Sequence, residues 1–138
     1  MIKIFMLSAL SFLLVTTDHD VIETQQETFI ELFDIEQGEV FKKVSYHSVI
    51  QSEVESLLTN INGIVKDISP IPATGFIVKI PLQPHVTVHN EWFHDLVDEV
   101  FVFYSPKTEP FILLFDQENR PYFFTLAHDA TSLLFLLQ

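Results

Sequence analysis

Three histidines and one aspartate in the middle of the chain have the residue types of a metal site. His85 and His89 lie on a predicted strand, where residues four apart share a face but are separated by about 13 Å. Two imidazoles so far apart do not both bind one ion at the usual distance of about 2.0 Å. His94 and Asp98 lie one turn apart on a predicted helix, which lets them converge on an ion. Because His89 is nearer to that helix than His85, the predicted metal ligands are His89, His94 and Asp98.

The same residues also fit a simpler interpretation, in which His94 and Asp98 are an ordinary surface pair. Such a pair on a helix contributes about 0.2–0.5 kcal/mol when the imidazole is charged. The chain contains no His-Glu-x-x-His sequence and no other three-ligand motif of known spacing. A metal-binding domain, or a metal-assisted hydrolase built on this cluster, is therefore the alternative hypothesis rather than the leading one.

The scarcity of glycine and cysteine excludes several kinds of enzyme. The chain has three glycines and no cysteine. No pair of glycines brackets a serine, so the Gly-x-Ser-x-Gly nucleophile motif is absent, and so are the glycine-rich loops that bind phosphates or dinucleotides. Without cysteine there is no disulfide, thiolate metal ligand or cysteine nucleophile. The sequence predicts no catalytic residue and no cofactor, and a protein that is not an enzyme.

The second half of the chain is rich in aromatic residues, which suggests a binding surface. Phe123 and Phe124 are neighbours on a predicted strand, and neighbouring strand residues point to opposite faces. They cannot both enter one core, so the last helix or a partner must cover part of the aromatic surface. Trp92 lies near the start of a predicted helix, away from its apolar stripe. The predicted binding residues are Trp92, Tyr122, Phe123 and Phe124.

Apolar spacing and turn residues predict the elements that position these side chains. Apolar residues recur at helical spacing in three segments: 49–62, 91–100 (with Asn90 as its cap) and 130–137. Alternation or short apolar runs predict strands at 29–35, 39–46, 76–80, 85–89, 101–104, 111–115 and 122–126. Strand pairs that are adjacent in sequence favour antiparallel pairing. The predicted fold class is α+β, with a mostly antiparallel sheet and two or three helices packed on one face.

The N-terminus has the pattern of an export signal. Lys3 precedes an apolar segment, residues 4–15, which as a helix spans roughly 18 Å, short of a bilayer core of about 30 Å. We therefore predict a signal peptide over residues 1–17, no permanent membrane span, an acidic flexible leader over 18–28 and one α+β domain over 29–138. The absence of cysteine and of Asn-x-Ser/Thr sites favours a bacterial envelope or extracellular location. The alternative is a cytoplasmic protein that keeps its N-terminal segment.

Charge and composition limit the class of partner. Seven Lys and Arg against 19 Asp and Glu give a net charge of −12, which repels a phosphate backbone, so nucleic acid is not a predicted partner. An apolar content of 48% over 138 residues supports the core of one domain. The sequence thus predicts a small, exported, acidic, non-enzymatic protein that acts by protein binding. Its partner is either an envelope or extracellular protein or a second copy of the chain.

Overall fold

The computed structural model describes residues 27–67 and 69–138, which form seven strands and two short helices. The strands are β1 (Phe29–Asp34), β2 (Glu39–Ser45), β3 (Ile61–Ile64), β4 (Phe76–His89), β5 (His94–Ser105), β6 (Thr108–Phe115) and β7 (Pro121–Leu126). The helices are α1 (Ser48–Thr59) and α2 (Thr131–Leu136). The predicted signal peptide over 1–17 and most of the predicted leader over 18–28 lie outside the described residues. No helix within the described ranges is long and apolar enough to cross a membrane.

All seven strands belong to one antiparallel sheet, in the order β2-β1-β4-β5-β6-β7-β3. Hairpins connect β1 to β2 and join β4 through β7 in sequence order. Because β2 forms one edge and β3 the other, α1 carries the chain from one edge of the sheet to the opposite one. The first hairpin turns where Asp34 Oδ1 accepts the Gln37 N–H at 2.9 Å and Gly38 adopts a positive φ of 69°.

The prediction of an α+β fold with two or three helices is wrong. The fold is dominated by its seven-stranded antiparallel sheet, and only 16% of the described residues are helical. Helix α1 has 12 residues and α2 has 6. The third predicted helix, over residues 91–100, does not form, because most of this segment belongs to β5.

Buried residues of β5 have helical spacing because the strand's alternation of buried and exposed residues is interrupted. Val97 and Val100 are both buried in the core, whereas Asp98 and Glu99 between them are not. The β4–β5 register shifts at this point, where β4 carries the extra residues and β5 contributes only Asp98. The spacing of three between buried valines therefore reflects an irregular strand pairing and not a helical turn. Leu96, which the predicted helix would bury beside Val97, is 40% exposed.

Asn90 forms the turn between β4 and β5 instead of capping a helix. Its side-chain Oδ1 accepts the backbone N–H of Trp92 at 2.8 Å and of Phe93 at 2.9 Å, the same bonds that a helix cap makes. Its own N–H, however, donates to the Phe93 carbonyl at 2.9 Å and so closes a hairpin. As a result, His89 and His94 lie directly opposite each other on the two strands.

The bulge at this register shift lies in β4, and α1 holds it in place. Residues 82–85 lie opposite Asp98 of β5 alone, because the pairing register of the two strands shifts there. Gln51 of α1 donates its side-chain N–H to the Pro84 carbonyl at 2.8 Å and accepts the Gln83 N–H at 2.6 Å. The buried side chain of Gln51 therefore satisfies backbone groups that the strand ladder leaves open.

Both helices pack on the same face of the sheet, and the main core lies between them and the strands. We call this face the helix-covered face. Its fully buried side chains include Ile30, Val78, Ile80, Val100, Val102, Ile112, Leu114 and Phe124 from the strands, with Ile50 and Val54 from α1 and Leu133 from α2. We call the opposite side the helix-free face, because neither α1 nor α2 contributes a residue to its apolar cluster.

Candidate binding face and acidic cleft

The helix-free face carries a second apolar cluster, made mostly of aromatic side chains. Side chains alternate between the two faces along each strand, so the odd-numbered aromatic residues of β5, β6 and β7 meet here. Phe103, Phe111 and Leu113 are buried at its centre. Half-buried side chains packed around them are Ile35, Val65, Ile77, Phe101, Phe115 and Phe123.

The rings of this cluster contact one another in well-defined geometries. Phe103 and Phe111 stack with centroids 4.7 Å apart and an angle of 8° between the planes. Phe123 lies 6.1 Å from Phe103, and Phe101 meets Phe115 edge to face at 5.8 Å. Aromatic pairs of this kind contribute about 0.5–1.5 kcal/mol beyond the burial of their area. The rings therefore form one packed cluster, in which Phe103 and Phe111 are buried and the half-buried Phe101, Phe115 and Phe123 reach the surface.

A small hollow lies over β1 and β4 on this face. It has a volume of about 210 Å³, and its apolar lining includes Phe33, Ile77 and Phe101. Glu31 and Lys79 also line it, so the apolar floor is accompanied by charges of both signs.

A second hollow, of about 350 Å³, lies beside Phe111 toward the opposite edge of the sheet. Val65 and Pro110 contribute to its apolar lining. Two carboxylates, Asp67 and Glu109, also line it, so this end of the helix-free face is acidic.

A larger hollow, a cleft of about 800 Å³, lies at the turn between β6 and β7. We call it the acidic cleft and define it by His85, Asp98, Glu99, Phe101, Phe115 and Asp116. Strands β4, β5 and β6 contribute the residues that line it. The β4 bulge supplies His85, the irregular part of β5 supplies two carboxylates, and the end of β6 supplies Phe115 and then Asp116.

Asp116 is the most buried carboxylate of the cleft, with only 7% of its surface exposed. Its oxygens accept the backbone N–H groups of Glu118 and Arg120, both at 2.9 Å, and the Arg120 Nε–H at 2.6 Å. Burial alone raises the pKa of a carboxyl group, but these hydrogen bonds and the guanidinium charge outweigh it. The pKa of Asp116 consequently lies below its ordinary value, and the side chain is anionic at neutral pH.

The other charges of the cleft are less completely paired. Lys79 Nζ lies 3.8 Å from Glu99 Oε2, and both side chains are partly exposed, so the pair contributes only about 0–1 kcal/mol. Asp98 is exposed beside them. A cleft with three carboxylates and two phenylalanine walls suits a cationic group that carries an apolar stem, such as a lysine or arginine side chain.

The structure divides the four predicted binding residues between the two faces. Phe124 is fully buried on the helix-covered face. Tyr122 stacks on it with centroids 6.2 Å apart, and Trp92 packs 6.4 Å away from the same ring. Only Phe123 belongs to the cluster on the helix-free face. Of the four, Phe123 alone lies where the second aromatic cluster could meet a partner.

The predicted metal ligands are also separated. His89 and His94 are brought together, with ring centroids 4.1 Å apart and planes inclined by 19°. Asp98 lies four residues further along β5, about 13 Å away on an extended strand, and lines the acidic cleft with His85. In the described part of the chain, no group of three or more His, Cys, Asp or Glu residues is arranged to hold a metal ion.

The predicted binding residues include none of the aromatic residues of β5 and β6. Phe101 and Phe103 occupy alternate positions of β5, and Phe111 faces Phe103 across the β5–β6 pair. The predicted strand over 101–104 contains this alternation, and residues two apart on a strand share a face. The sequence does not show which face of the sheet the helices cover, so the alternation alone does not identify a binding face.

No family model, curated protein or solved structure matches this chain. The fold and the site therefore define it only as a sheet-dominated protein with helices on one face and an aromatic, acidic surface on the other.

Proposed function

We propose that this is an exported, non-enzymatic binding protein that holds a protein partner on its helix-free face. The observation that carries the proposal is the aromatic cluster of Phe101, Phe103, Phe111, Phe115 and Phe123, to which neither described helix contributes. Interfaces that bind proteins are typically built from aromatic residues at the centre with polar residues around them. Here the three hollows with their carboxylates lie around such a centre.

The partner's surface is basic around an apolar patch. Each of the three hollows contains at least one carboxylate, and the whole chain has a net charge of −12. A second copy would bring the same acidic hollows against each other, and like charges across an interface oppose binding. A heterologous partner with lysine or arginine side chains suits this face better, and one of those side chains enters the acidic cleft.

Site-specific photocrosslinking in the producing cells tests this proposal. A photoreactive phenylalanine analogue is placed at Phe101 or Phe33 on the helix-free face, and at Phe135 as the matched control. Phe135 lies on α2 and is 68% exposed, so it is accessible but distant from the proposed interface. We expect a discrete adduct with one other protein from the first two positions and none from the control.

Charge neutralisation provides the second arm of the experiment. Asp98→Asn with Glu99→Gln should reduce the yield of the Phe101 adduct severalfold, whereas Glu36→Gln in the exposed β1–β2 turn should leave it unchanged. An adduct of twice the mass of the chain would show self-association and refute the heterologous partner. Equal adducts from all positions, or none, would refute the proposed face.

Export is tested separately by sequencing the N-terminus of the mature protein. The proposal expects the protein outside the cytoplasm with the segment up to about residue 17 removed. An intact Met1 on protein from the cytoplasmic fraction would refute export and leave the binding proposal standing.

A further inference from the structure

We propose that His89 and His94 together bind one divalent transition-metal ion at the tip of the β4–β5 hairpin. The two residues are direct cross-strand partners, and their rings are nearly parallel with centroids 4.1 Å apart. Both side chains are exposed, so an ion reaches them without any opening of the fold.

The two rings must rotate before they can chelate an ion. The lone pair of an imidazole nitrogen lies in the plane of its ring, so stacked rings inclined by only 19° do not direct their nitrogens at one point. Two nitrogens bound to one ion at about 2.0–2.1 Å are separated by about 3 Å when they occupy neighbouring coordination positions. Residues directly opposite each other on antiparallel strands are close enough for their side chains to converge on one ion. The terminal torsion of histidine is broad, so rotation of these exposed rings costs little.

The hairpin turn holds the two histidines in this relationship. Asn90 accepts the backbone N–H groups of Trp92 and Phe93 and donates its own N–H to the Phe93 carbonyl. Phe93 is itself buried and meets Tyr122 edge to face at 5.1 Å. Hydrogen bonds and the core thus fix the backbone of the four residues between the histidines. Binding of an ion therefore requires little further ordering of the backbone.

The ligand type selects the ion. Imidazole nitrogen suits Cu²⁺, Ni²⁺ and Zn²⁺, and among divalent ions of this series Cu²⁺ binds a given nitrogen site most tightly. Two protein ligands leave two or more coordination positions for water or for a group from another molecule. The proposal does not involve Asp98, and it is independent of the partner proposed for the helix-free face.

Titration of the purified full-length protein with Cu²⁺ and with Zn²⁺ tests the inference. The background is His19→Ala, so that the histidine of the first 26 residues does not compete. We expect one ion per chain, with Cu²⁺ tighter than Zn²⁺, and a Cu²⁺ electron paramagnetic resonance spectrum with coupling to imidazole nitrogen. Removing either ligand, as His89→Ala or His94→Ala, converts a bidentate site into a single ligand and should weaken binding about a hundredfold.

The other histidines are the matched controls. His47→Ala and His128→Ala change isolated imidazoles, and His85→Ala changes the one in the acidic cleft, so these variants should bind as the parent does. Circular dichroism of His89→Gln with His94→Gln checks that the sheet is intact. Binding that survives either ligand substitution in a folded variant, or that is lost with His85→Ala, would overturn the proposal. The absence of saturable binding of both ions would overturn it as well.

Discussion

Gln51 donates its side-chain N–H to the carbonyl oxygen of Pro84 at 2.8 Å, which ties α1 to the bulge of β4. The Gln51 oxygen accepts the Gln83 N–H and is also contacted by the Tyr46 hydroxyl, which in turn donates to the Gln83 carbonyl at 3.0 Å. Gln51 is only 6% exposed, so its own amide depends on these partners rather than on water. The bulge that positions one wall of the acidic cleft is therefore stabilised by hydrogen bonds to a buried polar side chain of a helix on the other face.

Replacing Gln51 should destabilise the protein. Gln51→Leu keeps most of the volume but removes the hydrogen bonds to the Gln83 N–H and the Pro84 carbonyl, each of which contributes about 0.5–1.5 kcal/mol. Urea denaturation measures the free energy of unfolding. Ser52→Ala, at the exposed neighbouring position of α1, should change it by less than about 0.5 kcal/mol. Equal effects of the two substitutions would contradict the role given to Gln51.

Two glycines with positive φ should respond differently to alanine. Gly75 has a φ of 111°, and a Cβ built there would lie 2.1 Å from the Tyr104 carbonyl oxygen. Gly75→Ala must therefore strain the backbone and displace β5, at a cost of at least about 3 kcal/mol. Gly38 has a φ of 69° and no atom within 4 Å of its added Cβ, so Gly38→Ala should cost only about 1–2 kcal/mol. Thermal denaturation of both variants tests this order, and the reverse order would refute it.

Asp116 should make stability fall in acid. Because its pKa is lower in the folded protein than in the unfolded chain, the unfolded chain takes up the proton first as the pH falls. Its contribution to the free energy of unfolding is fully present above the pKa of the unfolded chain, about 3.9. This contribution is lost as the pH falls through the lower pKa of the folded protein. Asp116→Asn should thus lower the urea midpoint at neutral pH and flatten its decline in acid. Glu118→Gln removes an exposed carboxylate of the same turn and is the control for the change in net charge.

Phe123 and Phe124 should separate binding from stability. Phe124→Ala empties a fully buried position of the core and should cost about 3–5 kcal/mol. Phe123→Ala removes a half-buried ring from the helix-free face and should cost about 1–2 kcal/mol. Urea denaturation gives the two costs, and the crosslink from Phe33 reports on the interface. A folded Phe123→Ala protein that retains the full adduct yield would exclude Phe123 from the interface.

The sequence alone determined the parts of the fold that depend on local chemistry. The strands predicted at 29–35 and 39–46, and those at 111–115 and 122–126, form the β1–β2 and β6–β7 hairpins, and apolar residues at helical spacing predict α1 within a few residues of its observed ends. The separate strands predicted at 76–80 and 85–89 are one strand, β4, which continues through Pro81 and Pro84. Its pairing with β1 covers only residues 76–79, so at the prolines no β1 partner requires the missing N–H.

Tertiary structure alone decided that residues 94–100 belong to β5 and which aromatic residues pack against a helix. The spacing of Val97 and Val100 is common to a helix and to a strand whose alternation is interrupted, and only pairing with β4 distinguishes them. In the same way, alternation places Phe123 and Phe124 on opposite faces but does not say which face receives α1 and α2. That choice depends on packing between residues far apart in the sequence, because a helix settles where its apolar stripe and the sheet bury the most surface together.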